Sequence, residues 1–416
     1  MAYLSSKRQF LKTGFFGLIG IGTAGRTFAR NSAKPHVLVA GAGAFGGWAA
    51  LYLLRQGARV TLVDPWGPGN PRSSSGGQTR NLTGAYGTPE VYLEWARRSM
   101  RLWQEHQQQW QLPLYDPIGA LWMVREDLTI GDTATDRTAD YTRWMDEDVE
   151  GGEKLTPDEA HARFPQINMD GIRTTLYEKE AGILFARRAC YAVIDGFLAE
   201  GGVYRQSGVV STLIKDGEMQ EVSLSDGSRI KADRYVFACG PWLGKLFPDA
   251  VGRHLTVTRQ EIYYLEVPNG DKRFYNSQLP HWVDWGQEIW WGVPAHQKWG
   301  FAVADHGLGP RFDPTSGDRQ VSEAGKEAAL TQVGSRFPGM KEAAYLTGRV
   351  CQYTNTPDGD YIIGRHPEAE NAWIYGGGSG TGFHAGPARG QDMAKYVLDH
   401  GMPDPRFSLS RFQGPV

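Results

Sequence analysis

Cysteine is scarce. Three in 416 residues permit at most one disulfide, so the chain is not a disulfide scaffold. Neither sign of charge is in excess. Forty-four Lys and Arg against 46 Asp and Glu give a formal charge of −2. That balance excludes the basic footprint of a nucleic-acid-binding chain and argues against a polyanionic partner. No apolar run reaches the ~20 residues needed to cross a bilayer, and no metal site is expected. What is present suits a folded protein. Apolar residues at 41% and charged residues at 22% supply a core and argue against disorder, and the length suits two domains. Glycine is abundant, with 53 residues, which points to tight turns and close approach of backbone to ligand. Tryptophan is also abundant, and several of the 14 lie in one short stretch.

Residues 1–35 read as an address rather than a fold element. Ser6-Lys7-Arg8-Gln9-Phe10-Leu11-Lys12 precedes a weakly apolar, glycine-rich run from Phe15 to Gly25. The pattern resembles a twin-arginine export signal with Lys7 in place of the first arginine; the alternative is a basic amphipathic tail. The resemblance implies a periplasmic protein that folds before export, with cleavage near Ala29 or retention of the segment as an anchor. Three cysteines do not contradict that compartment.

The next residues carry chemistry. His36–Ala40 reads as a short buried strand, followed at once by Gly41-Ala42-Gly43-Ala44-Phe45-Gly46-Gly47. Trp48–Gln56 reads as a helix closed by Gly57, and Arg59–Val63 as a second strand with Asp64 at its end. This is the strand, GxGxxG, helix, strand, acid order of a dinucleotide site. Gly41 permits the turn, Gly43 lets backbone approach a pyrophosphate, and Gly46 lets the helix pack close to the sheet. The helix N-terminus offers free N–H groups to phosphates, and Asp64 can accept both ribose hydroxyls of an adenosine. The alternative is a glycine-rich turn in a ligand-free α/β domain. A small polar loop from Pro71 to Arg80, holding Ser74 and Thr79, continues into Asn81–Gly87. It suits a ligand that extends past the pyrophosphate.

Five ordered motifs then carry a resemblance. They are the glycine motif at 41–46, Ser74–Arg80, Tyr235–Trp242 with Gly240 within it, Cys351–Gly359, and Gly376–Ala385. Together they resemble the flavin-dependent amine oxidoreductases of the D-amino-acid oxidase superfamily, nearest the monomeric sarcosine oxidase and N-methyl amino acid oxidase group, over nearly all of 36–412. The resemblance implies an α/β, two-domain fold: FAD across a Rossmann-like domain, and a discontinuous domain whose antiparallel sheet roofs the flavin. The expected boundaries are 36–120, 180–255 and 345–412 for the FAD-binding domain, and 121–179 with 256–344 for the substrate domain. Strands at 201–204 and 208–210, the latter with Val209, are expected in the nucleotide sheet near the adenosine. Trp242 follows Gly240 at the cofactor cleft. Gly378, Gly380, Thr381 and Gly382 precede a helix running to about Asp399, whose N-terminus would face the flavin pyrimidine. There, dipole and N–H groups stabilise negative charge on the reduced ring.

The resemblance also implies roles. Cys351 falls where the group bonds cysteine to the flavin, which needs a thiolate near positive charge; Arg80 is the candidate cation. The family's histidine four residues before that arginine is Gly76 here. The alternative is a buried, inert thiol. Cys190 and Cys239 read as small core residues. Trp290, Trp291 and Tyr353 fall at pocket aromatics, where faces attract a cationic amine; strand alternation predicts that only one Trp touches substrate. His306 matches an active-site histidine that can tune amine protonation. Three positions depart from the family. Its oxygen-activating lysine falls on Ala302, and the basic pair that grips a substrate carboxylate falls on Thr83 and His384. His384 could hold one carboxylate oxygen if protonated.

The resulting expectation is an exported FAD-dependent oxidoreductase that oxidises a secondary or primary amine to an imine. It acts more as a dehydrogenase than as a fast oxidase, and passes electrons to oxygen, a quinone or a carrier protein. One rival is a 2-hydroxy-acid or alcohol dehydrogenase on the same fold. The other is a non-catalytic, flavin-bearing maturation partner of another exported protein.

Overall fold

The computed structural model describes residues 34–84, 89–128 and 151–412. The N-terminal address segment up to 33 and the acidic run 146–150 lie outside the described residues, as do 85–88 of the polar loop.

Strand His36–Ala40 is apolar on both faces and sits inside a six-stranded sheet. Arg59–Val63 and Arg234–Phe237 flank it in parallel. Val203–Arg205 extends one side, and Ala369–Gly376 with antiparallel Ile362–His366 extends the other. A strand buried on both faces needs helical cover. Helix Ala44–Arg55 supplies it and packs on helices Ala186–Ala199 and Gly386–Val397. The first helix starts four residues earlier than its apolar pattern suggests, because Gly43 rather than a polar residue caps it.

The second sheet has eight strands, in the order 345–355, 256–265, 301–305, 289–293, 281–285, 120–125, 172–178 and 152–155. All neighbours are antiparallel except 281–285 with 120–125, which run parallel; the expectation of a purely antiparallel layer is corrected there. Strand Tyr345–Asn355 pairs with Thr256–Leu265 along its whole length, so residues 345–355 run in this sheet and not in the nucleotide-binding one. Val209 begins strand 209–215, which belongs to a separate three-stranded sheet with 218–224 and 229–230. It is not a neighbour of 203–205, because the turn at 207–208 redirects the chain; Ser225 N–H donates to Gly208 O at 2.8 Å.

Alternation along the eight-stranded sheet sorts its aromatics. Trp122, Val283, Trp285 and Trp291 face the core shared with the nucleotide-binding helices, and Ile262, Tyr264, Ala302 and Ala304 join a small cluster beside Trp291. The opposite face carries Leu121, Tyr263, Trp282, Trp290 and Phe301 into a separate core closed by Val333 and Phe337. Among the described residues, no helix is long and apolar enough to cross a membrane.

Candidate active site

Between the two sheets lies a cavity of about 1690 Å³, larger than the ~300–1,000 Å³ of ordinary small-molecule sites. The glycine loop forms one end. Gly41 has φ +106°, and a Cβ there would lie 2.3 Å from Ala238 O. A Cβ on Gly46 would lie 1.9 Å from Gly41 O, so Gly46 stands one layer behind the wall and only glycine fits. Gly41, Gly43 and Phe45 line the cavity. Asp64 also lines it and is already engaged: Oδ2 accepts Ala42 N–H at 2.9 Å, and Oδ1 accepts Trp66 and Gly67 N–H at 2.9 and 2.8 Å. Burial pushes its carboxyl above the ordinary range against those three donors. Two carboxylate oxygens have about four acceptor sites, so capacity remains for a hydroxylated ligand. Ala44 N–H donates to Ser75 Oγ at 3.1 Å, which ties the helix start to the polar loop. Val209, Gly240 and Trp242 complete this end, where Trp242 packs on Trp66 with ring centroids 4.7 Å apart.

Cations and a thiol gather along the opposite wall. Arg80 Nη2 lies 3.9 Å from Cys351 Sγ and also donates to Ser74 O. Ser74 Oγ in turn donates to Gln352 O at 2.9 Å. Burial pushes the Cys351 thiol up, but Arg349 first and Arg80 next outweigh it, and the thiol ends below its ordinary value. Arg349 was not singled out from the sequence. It lies two residues before Cys351 on the same strand face, and period-two spacing was the available signal. Backbone requires glycine at position 76, and Arg349 lies beside it. A Cβ there would sit 1.9 Å from Asn70 O, with Arg349 Nη2 at 3.1 Å, so a guanidinium fills the neighbourhood where the family has a histidine. The other thiols differ: burial raises both Cys190 and Cys239 to about 12. Thr79 is buried behind the wall, its carbonyl accepting from Arg80 Nη1 at 2.6 Å; it does not line the cavity.

The aromatic face brings three candidates together. His306 Nδ1 is 3.2 Å from Tyr353 Oη, and Trp291 lines the same cavity. Burial raises the Tyr353 pKa above its usual value, so the phenol stays protonated. Trp290 also borders the cavity, but its indole packs into the other core, and its Nε1 donates to Glu288 Oε2 at 3.3 Å. Gly378, Gly380, Thr381 and Gly382 form the floor. A Cβ on Gly380 would come within 3.0 Å of Tyr353 and 3.2 Å of His306, and one on Gly382 within 2.6 Å of Phe45. The helix behind the loop spans Gly386–Val397, with Pro387 in its first turn. Tyr264, also missed, has a hydroxyl with no partner although the residue is 5% exposed and lines the cavity. An unmet buried hydroxyl costs about 1–3 kcal/mol, so a polar ligand is its natural complement.

At the carboxylate-clamp positions an acidic residue stands behind Thr83. Thr83 Oγ1 donates to Glu178, and Trp122 Nε1 donates to the same oxygen at 2.7 Å. Glu178, 4% exposed, was not legible from the sequence because its strand meets Thr83 only in the fold. His384 is buried; burial first, then Arg389, lowers its pKa to about 3. Burial therefore works against the protonated His384 that a carboxylate grip requires. Ala302 sits in an apolar patch with Ile262, Tyr264 and Val293.

These features fit a flavin dinucleotide: a glycine cradle that no Cβ could enter, a ribose-competent acid, and unmet donors at the far end. Comparison with known proteins agrees. A family model described as FAD dependent oxidoreductase matches residues 36–396. The chain is 27% identical over 366 residues to monomeric sarcosine oxidase of Bacillus sp. (strain NS-129), covering 86% of this chain and 92% of that one. It is 25% identical over 401 residues to N-methyl-L-tryptophan oxidase of Salmonella heidelberg (strain SL476), covering 91% and 98%. Among solved structures, L-proline dehydrogenase from P.horikoshii superposes with TM-score 0.75 at 19% identity, over 91% of this chain and 98% of that one. Fructosamine oxidase from Aspergillus fumigatus also gives 0.75, at 18% identity, over 90% and 89%. The chain belongs to the D-amino-acid oxidase family of FAD-dependent oxidoreductases.

Proposed function

We infer that the protein oxidises the C–N bond of a secondary or primary amine to an imine, which water then hydrolyses. The observation that carries this reading is the meeting of the glycine cradle and the His306–Tyr353–Trp291 group in one cavity. When bound, FAD supplies the two-electron acceptor for the C–H bond next to nitrogen. The chain does the rest. Trp291 and Tyr353 exclude water and present aromatic faces to the amine. His306 is placed to exchange a proton with the substrate nitrogen. Neither Thr83 nor His384 supplies the positive charge of a carboxylate clamp, so sarcosine is a poor substrate and a larger amine a better one. The fold's relatives act on amino-acid-like amines by name, which supports the same bond class.

The alcohol reading needs a base strong enough to form an alkoxide. A histidine held near 3 is a weak one at neutral pH, which disfavours His384 in that role. Ala302 puts no cation in its apolar patch, which supports electron transfer to a quinone or carrier over rapid reaction with oxygen. The thiol environment of Cys351 supports a thioether to the flavin. We also propose export through the basic N-terminal segment, tested by whether Lys7→Ala together with Arg8→Ala leaves the protein in the cytoplasm.

The test of function is steady-state turnover on panels of N-alkyl amines and 2-hydroxy acids, with a dye acceptor and with oxygen alone. Amine-dependent dye reduction well above oxygen consumption is expected. Turnover of hydroxy acids without amines overturns the reading. Acid precipitation tests the thioether: flavin in the pellet, with its mass on the Cys351 peptide, is expected, and flavin wholly in the supernatant refutes it.

A further inference from the structure

Arg389 stands in the first turn of helix Gly386–Val397 and is 1% exposed. Two things make a cation costly there. Arginine does not shed its proton in proteins, and a helix N-terminus disfavours positive charge. No carboxylate of the described residues forms an ion pair with it. Asp392, one turn on, is taken by Arg98 and by Lys395 at 3.2 Å. Arg389 Nε donates to Ala385 O at 3.3 Å and Nη2 to Gly382 O, while Nη1 has no partner. The guanidinium lies in the corner between the rings of Phe45 and Tyr361, 4.2 Å from each centroid, with the two rings edge to face and 6.0 Å apart. Ring faces attract the cation but do not neutralise it.

Its position is informative. Phe45 comes from the nucleotide loop and lines the cavity, and Gly382 belongs to the loop that forms the floor. The charge therefore sits one layer beneath the place where the two loops meet. A buried, unpaired cation opposed by its own helix calls for negative charge nearby, and the cavity is where a ligand can bring it.

We propose that Arg389 is a positioning residue for the flavin: its fixed charge under the 376–382 loop stabilises negative charge that the ring acquires on reduction or on adding a nucleophile. The proposal rests on the FAD assignment and on the ring lying against that loop. It predicts a readout other than turnover. Sulfite adds to the oxidised ring and leaves a negative charge on it, with no electron acceptor required, and the visible flavin band bleaches.

The experiment is a sulfite titration of FAD-loaded wild-type protein, Arg389→Met and Arg389→Lys, with the flavin midpoint potential measured beside it. Wild type is expected to bleach. Arg389→Met should bind sulfite on the order of tenfold more weakly. A tenfold effect on two-electron reduction is about 30 mV, in the negative direction. Arg389→Lys, which keeps charge but loses the guanidinium's contacts with the two rings and with Gly382 and Ala385, should stay near wild type in sulfite affinity while melting lower. Arg389→Gln replaces Met if the latter does not fold. Equal affinity in wild type and the neutral variant overturns the proposal, as does flavin-loaded wild type that never bleaches. A chain that takes up no FAD defeats the cofactor assignment as well, so the two failures are distinct.

Discussion

The two ends of the cavity are built on opposite principles. At the nucleotide end the chain satisfies itself: Asp64 accepts three backbone N–H groups, Ala44 is tied to Ser75, and the glycines touch backbone directly. At the far end two lining residues leave polar atoms unmet, Tyr264 Oη and Arg349 Nε. The first end is largely built from backbone contacts before a ligand arrives; the second leaves side-chain groups of its lining for one to meet. Preorganised backbone suits a diphosphate common to many enzymes, whereas unmet side-chain donors tune a reacting ring.

The largest expected effect comes from breaking the finished end. Gly46→Val drives a side chain into Gly41 O and Ala238, and should abolish FAD uptake, read as flavin absorbance per protein. Next come the adjacent tryptophans. Trp290→Ala removes a buried indole from the second core and should cost ~3–5 kcal/mol in denaturant unfolding, with KM little changed in protein that remains folded. Trp291→Ala should raise KM with a smaller loss of stability. An exchange of those two outcomes would refute the face assignment. The unmet end predicts a change of sign. Tyr264→Phe should stabilise the flavin-free chain by up to ~1–3 kcal/mol and destabilise the loaded one, seen by calorimetry on both forms. Among thiols, Cys351 of the flavin-free chain should alkylate with iodoacetamide at pH 8, while Cys190 and Cys239, raised to about 12, stay inert; equal labelling would undo the cation argument.

The smallest effect is on acid stability. Burial lowers His384 to about 3 and His281 to about 4, against 6.5 in the unfolded chain. Between those values and 6.5 the unfolded state binds more protons, so stability is fully present above pH 6.5 and falls as pH drops toward 4 and then 3. His281→Asn should flatten part of that slope in unfolding measured against pH.

Much of the site was legible because its signals are local. Gly41, Gly43, Gly46 and Asp64 fall within 24 residues and obey one spacing, since a tight turn, a helix start and a strand end are decided by neighbours in the chain. The alternation of Trp290 and Trp291 was legible for the same reason. Arg349 and Tyr264 were not, although each lies on a strand whose facing residues were known; nothing in the sequence states which partner a side chain lacks. Glu178 was least legible, because its role depends on Thr83, 95 residues away. The partner of strand 345–355, which is 256–265, was not legible because strand pairing is a long-range choice.

By itself, then, the sequence determined the dinucleotide loop and the α/β class, whose signals lie in neighbouring stretches of chain, and it carried the resemblance to the family. Only the tertiary structure decided which core each indole packs into, that burial lowers the His384 pKa, that Glu178 stands behind Thr83, and that Arg389 is buried with no ion-pair partner among the described residues. Those properties are set by burial and by charges brought together across the chain, and neither exists until the two sheets close on one another.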